Sequence, residues 1–143
     1  MKPISTSEQP AIIKAEISYQ DDKFEAPVKY MSSGQGFIVE GKEDGGRRVL
    51  SIWTPFKFSP STEYDLVLEA TTNKQAMLSF KRPIPGGGIG LSSESGKMTF
   101  VTEVGGMIGF FSCLTKPDPA NNIPAATIKG RVYIVGVPDN TPE

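Results

Sequence analysis

Carboxylates are the groups this chain has for proton transfer, because its 143 residues include no histidine and a single cysteine, Cys113. Histidine ordinarily supplies the general base, the proton shuttle and the commonest metal ligand, since its pKa lies near neutrality. Its absence excludes serine–histidine and cysteine–histidine dyads, and zinc sites built on histidine or on four cysteines. What remains is two-acid chemistry of the kind glycoside hydrolysis uses, with carboxyl groups at a set separation. Glu16, Glu25, Glu40, Asp65, Glu69 and Glu103 fall on predicted strands, most of them facing solvent. Glu69 and Glu103 have apolar neighbours that would raise their pKa by desolvation. Nothing in the spacing brings two of them together, so no catalytic residue is assigned and the chain reads as a non-enzyme.

Asp21-Asp22 and Glu43-Asp44-Gly45 offer oxygen donors of the kind calcium accepts, but the spaced pattern of an EF-hand loop is missing and acidic pairs are ordinary at turns. No metal or cofactor is expected. The run Pro83-Ile84-Pro85-Gly86-Gly87-Gly88-Ile89-Gly90 has enough glycine to bring backbone N–H groups against a phosphate. A phosphate loop needs four residues between its first glycine and a Gly-Lys pair, then Ser or Thr. Here five residues separate Gly90 from Gly96-Lys97, and Met98 stands where the hydroxyl belongs. The dinucleotide pattern also fails, with Leu91 in place of its third glycine. Gly86, Gly87, Gly88 and Gly90 are therefore read as a flexible loop joining two hairpins, with at most the role of a lip over a binding face. Cys113 is expected to face inward beside Met98, as a small hydrophobe and not a nucleophile.

Recognition chemistry has two candidate surfaces. Trp53 and Phe56, with Phe58, crowd one short segment interrupted by Pro55, and Trp53 is out of step with the two phenylalanines on a regular strand. An exposed ring there, beside Tyr30 or Tyr64, would stack on a sugar or fill a partner's pocket; the alternative is a core tryptophan. Lys129, Arg131 and Tyr133 alternate along the last predicted strand and form an outward row of two long cations and a phenol. Such a row suits a polar interface, and equally a solvated or edge-protecting face.

Charge narrows the partners. Fifteen basic and 16 acidic residues leave a net charge of -1, and the largest basic runs are the doublets Arg47-Arg48 and Lys81-Arg82. Neither nucleic acid binding by counterion release nor polybasic membrane attachment is expected. A protein, or copies of this chain, is the expected partner, with a carbohydrate as the alternative. Residues 1–10 lack the apolar stretch of a signal peptide, no run approaches bilayer length, and one cysteine makes no intramolecular disulfide. The expected location is the cytoplasm, although export without a cleaved leader would look the same.

The elements that must position these groups are strands. Period-two alternation recurs from residue 11 to residue 137, no amphipathic helix of three turns is visible, and 15 Gly with 12 Pro supply many turns. One hairpin turns at Asp21-Asp22 and sets Tyr19 against Phe24, Ile17 against Ala26 and Ala15 against Val28, with Pro27 suggesting an edge strand. A second spans residues 63–82 around Thr72-Asn73-Lys74, with Leu68 against Leu78, Leu66 against Phe80 and Asp65 against Lys81. A third turns at Gly105-Gly106 and pairs Phe100 with Phe111 and Met98 with Cys113, leaving Val101 and Phe110 on its other face. Further strands run near residues 36–40, 49–58 and 127–135, with irregular stretches at 42–48, 82–96 and 116–125. Eight or nine such strands predict an all-β antiparallel β-sandwich, or a closed β-barrel as the alternative, in one domain over residues 1–143 with flexible ends at 1–9 and 138–143.

Overall fold

The structure, a computed structural model, describes residues 11–33, 36–55, 62–103 and 105–135. Phe56, Phe58 and the two expected flexible ends lie outside them. The described residues form β1 (Ile12–Ile17), β2 (Asp22–Ser33), β3 (Gly36–Glu43), β4 (Arg48–Thr54), β5 (Glu63–Leu66), β6 (Gln75–Ile84), β7 (Gly87–Glu103), β8 (Gly106–Thr115) and β9 (Thr127–Val135). They are hydrogen-bonded in the order β1-β2-β3-β4-β6-β5-β7-β8-β9, and β9 pairs back onto β1.

Of the two all-β arrangements, it is the closed barrel that forms and not the two-sheet sandwich. The reason lies in two long strands. β2 pairs with β1 over residues 22–27 and with β3 over residues 28–33. β7 pairs with β6 over residues 87–92 and with β8 over residues 93–103, with a register shift between Ser93 and Ser95. Each strand thus bends around a corner while its ladder continues, and no edge is left for a separate sheet. Pro27 sits where β2 changes partners, so its missing N–H falls at the corner and not on an edge strand.

Apolar residues at alternate positions of every strand point into one interior cluster, including Ile13, Phe24, Val39, Leu50, Tyr64, Leu78, Leu91, Phe111 and Val132. Phe24 meets Phe80 edge to face at 5.7 Å, and Tyr64 meets Phe100 likewise at 6.2 Å, the arrangement aromatic quadrupoles prefer. Ile123 and Ala126, from the β8–β9 connection, join that cluster. The connection is the stretch expected to be irregular, and it carries a 3₁₀ turn at Pro119–Asn121.

Two of the three expected hairpins form with slipped registers, the first by four residues and the β7–β8 hairpin by two. In the first, Ser18 and a 3₁₀ turn at Tyr19–Asp21 lengthen the connection, so Ala15 faces Phe24 and Ile17 faces Asp22. In the β7–β8 hairpin Glu103 pairs with Gly106, so Met98 faces Phe111 and Phe100 lies across Gly109. A slip of an even number of residues preserves which face each side chain takes, and the core set survives both.

The expected hairpin over residues 63–82 does not form. β5 runs parallel to β6, through Asp65 N–H to the Lys74 carbonyl (2.8 Å) and Val67 N–H to the Ala76 carbonyl (2.9 Å). It pairs antiparallel with β7, so the partner of Asp65 is Lys97, not Lys81, while Leu78 faces Ile52 and Leu68 is exposed. The glycine-rich run is also not a loop. Ile84 pairs with Gly87 and Pro83 with Gly88 across a tight Pro85-Gly86 turn, and Gly86 takes φ +85°. Glycines carry no side-chain alternation, which hides a strand from a periodicity reading.

Candidate functional site

The aromatic surface expected around Trp53 is not assembled. Leu50, Ile52 and Thr54 of β4 are buried while Val49, Ser51 and Trp53 are half-buried, which places Trp53 on the outer wall. Its cross-strand neighbours are Ile38 and Met77, with Met31 beyond Ile38. Tyr64 lies inside the barrel, 1% exposed, against Phe100. Tyr30 is partly buried against the core, edge to face with Phe37 at 6.1 Å. The wall separates Trp53 from both tyrosines, so one ligand cannot touch all three.

The Lys129–Arg131 surface, in contrast, belongs to a larger face. Lys14 and Glu16 on β1, Lys23 and Glu25 on β2, Phe110 and Ser112 on β8, and Lys129 and Arg131 on β9 are all exposed. Register aligns them in two adjacent rows. One runs Thr99, Phe110, Arg131, Lys14, Glu25; the next runs Lys97, Ser112, Lys129, Glu16, Lys23. Between these side chains lies an open groove of about 770 Å³. Gly130 lies on its floor and packs so closely on β1 that a Cβ there would overlap the Lys14 carbonyl oxygen. Tyr133, expected on the same surface, is only 3% exposed, between Ile108 and Ile12 in the next row.

Phe110 lines the groove, and two further apolar side chains are exposed on the same strand or the next. Val101 is 39%, Phe110 49% and Leu114 44% exposed, all on the outer face of β7 and β8. Phe110 stands directly across from Arg131. Lys14, Glu16, Lys129 and Arg131 make no ion pair among the described residues. Lys97, one strand away, is by comparison held by Asp65 at 2.6 Å and Glu63 at 3.6 Å.

Other charges are consumed in a partly buried network that the sequence reading missed. Arg48 donates Nε to Glu43 (2.7 Å), Nη1 and Nη2 to Asp22 (3.1 Å each) and Nη2 to the Lys23 carbonyl (2.7 Å). Arg82 donates to Asp22 (2.7 Å) and Gln20 (2.7 Å), and its guanidinium lies 5.9 Å from the Tyr19 ring centre. Burial pushes the Asp22 carboxyl up, but hydrogen bonds from Arg48, the Lys23 N–H and Arg82 outweigh it and hold the group below its ordinary value. For Arg48, burial is likewise outweighed, by Asp22 and Glu43, and its pKa is raised. The β1–β2 and β3–β4 turns bring these residues together, which no spacing in the sequence announces.

The remaining candidates for chemistry are dispersed. Glu16 and Glu25 line the groove, Glu40 binds Ser51 Oγ (3.2 Å), and Glu69 is exposed in a bend after β5. The side chain of Glu103 lies outside the described set. No group of three or more Asp, Glu, Cys or His that could hold a metal occurs among the described residues. Cys113 faces the core, where burial pushes its thiol up to about 11 against a hydrogen bond with the Ile128 backbone. Among the described residues no helix is long and apolar enough to cross a membrane. Comparison with protein-family models, with curated proteins and with solved structures finds no match.

Proposed function

We propose that this barrel is a non-catalytic module that docks another polypeptide on the outer wall formed by β7, β8, β9 and β1. One observation carries the reading: Val101, Phe110 and Leu114 stay exposed on the same face as Lys129 and Arg131, cations that make no ion pair among the described residues. Apolar side chains flanked by charged ones are the composition of a protein interface, with an apolar centre and a polar rim. The face also carries Glu16 and Glu25, which a phosphate backbone would have to approach, so a nucleic acid fits it poorly. The cytoplasm is the proposed location, because one buried thiol asks nothing of an oxidising compartment.

The test is a photo-crosslinking amino acid placed at position 110, at 114 or, as a control on the opposite wall, at 81. Protein adducts concentrated at 110 and 114 are expected, with light scattering showing whether the captured partner is a second copy. Equal adduct yields at all three positions, or none at 110 and 114, would sink the reading.

A further inference from the structure

We infer that the groove selects an extended partner segment in which an acidic side chain stands two residues from an apolar one; this deepens the docking reading above and rests on it. Four outer-face residues occupy adjoining cross-strand positions: Arg131 faces Lys14 in one row, and Lys129 faces Glu16 in the next. Three of the four are cations, and none makes an ion pair among the described residues. A carboxylate laid between Arg131, Lys14 and Lys129 would gain charge-assisted hydrogen bonds from all three. Phe110 adjoins Arg131 in the same row, half of its surface open.

Spacing sets the sequence of the ligand. Neighbouring strands lie about 4.8 Å apart, so Phe110 stands roughly 5–10 Å from the cations of the block. An extended chain places side chains i and i+2 on one face about 6.8 Å apart. An apolar residue on Phe110 therefore puts an acid two positions later over the cations. Charge then separates polypeptides from uniform polyanions. Glu16 stands within the block and Glu25 just past it, and both would repel the repeated charges of a sulfated or uronate glycan. A polypeptide can follow its acid with a neutral or basic residue.

The experiment uses the full chain and fluorescein-labelled decapeptides that differ only in one pair of positions: Leu-x-Glu, Leu-x-Lys, Ser-x-Glu and Ser-x-Ser, read by anisotropy. The Leu-x-Glu peptide is expected to bind tightest, with replacement of its acid by lysine costing about tenfold or more. The double variant Lys129→Glu, Arg131→Glu should invert that ranking and favour Leu-x-Lys. Phe110→Ala should bring Leu-x-Glu down to the level of Ser-x-Glu, and Phe110→Thr, with a strand-compatible side chain, should do the same should the alanine variant misfold. Far-UV circular dichroism and the unfolding midpoint verify the fold of each variant. Equal binding of the acidic and basic peptides, a ranking untouched by the charge swap, or tighter binding of a hexauronate would each overturn the inference. If the peptides do not discriminate while crosslinks persist at position 110, the specificity falls and the docking reading stands. Loss of the crosslinks as well sinks both.

Discussion

Replacing Asp22 by asparagine removes an anion that two guanidinium groups, those of Arg48 and Arg82, share. In the native chain Oδ1 accepts the Lys23 N–H (2.8 Å) and Arg48 Nη2 (3.1 Å), while Oδ2 accepts Arg48 Nη1 (3.1 Å) and Arg82 Nη1 (2.7 Å). The amide is the same size as the carboxylate, yet one of those acceptors becomes an NH₂ group pointing at N–H donors. Arg48 keeps Glu43 and the Lys23 carbonyl, and Arg82 keeps Gln20, so the cations are weakened in their pairing and not abandoned. The side chains of Asp22, Arg48 and Arg82 are 16%, 19% and 17% exposed, which sets them between two measured regimes. Breaking a buried pair costs about 3–5 kcal/mol, and an exposed pair contributes about 0–1 kcal/mol. A loss of about 2–3 kcal/mol follows for Asp22→Asn, or roughly 5–10 °C in the midpoint for a domain of this size.

The pH dependence tests the cause. The native Asp22 carboxyl is held below its ordinary value, so its contribution is fully present above the unfolded value of about 3.9. It is lost as pH falls through the lower native value, when the carboxyl takes up a proton in the folded state. Urea unfolding of both proteins between pH 7 and pH 2.5 should show the full gap at neutrality and a gap that narrows toward the acid end. The other carboxylates titrate in both proteins and cancel in the difference. A gap of equal size at pH 2.5 would mean that packing, not charge, is responsible. No gap at pH 7 would mean that the network contributes nothing to stability.

Closure of the barrel should be sensitive at Gly130, where a methyl group would overlap the β1 backbone; Gly130→Ala is expected to cost about 1–3 kcal/mol in urea unfolding, and a native midpoint would show that β1 and β9 can part freely. Cys113 should resist thiol reagents in the folded state: with its pKa pushed up to about 11, roughly one thiol in a thousand is ionised at pH 8, and the side chain is 4% exposed. Labelling by a disulfide reagent should therefore accelerate with denaturant in step with unfolding, and immediate native-state labelling would contradict its place in the core.

How much of this is readable in the sequence follows from what period-two alternation encodes. Alternation assigns a side chain to one of two faces, and that assignment survives even where registers slip: Met98 and Cys113 alternate inward and are buried, while Phe110 and Val101 fall on the other face and are exposed. It does not encode which strand lies beside which. Leu66 and Leu78 suit an antiparallel hairpin as well as the parallel arrangement that forms, because alternation does not say whether residues 67–74 reverse the chain once or carry it back to run in the same direction as β5. The proposed docking face depends on β9 lying beside β1, more than a hundred residues away in the chain, so spacing alone cannot join Lys14 to Lys129 and Arg131. Arg48, Asp22 and Arg82 escape notice for the same reason, each looking like an ordinary turn or surface charge. Trp53 misleads in another way: three aromatic residues close in sequence need not be neighbours in space, since a strand sends alternate side chains to opposite sides of a wall.

The network and the groove are not independent, and Glu43 is the link. Its Oε1 accepts Arg48 Nε, while its Oε2 accepts the Glu25 backbone N–H at 3.0 Å, and Glu43 itself lines the groove. Arg48 also donates to the Lys23 carbonyl. One guanidinium thus holds this start of β2, directly at Asp22 and Lys23 and through Glu43 at Glu25, and residues 23–25 are the groove's far rim. Rigid support of this kind lowers the ordering cost that a partner would otherwise meet on binding. It follows that Asp22→Asn, although it touches no exposed groove side chain, should weaken binding of the Leu-x-Glu peptide less than Arg131→Glu does, and only through the position of Lys23 and Glu25. A charge change confined to β9 and a support change confined to the network would then be separable: the first inverts the peptide ranking, and the second lowers all affinities together while leaving the ranking intact.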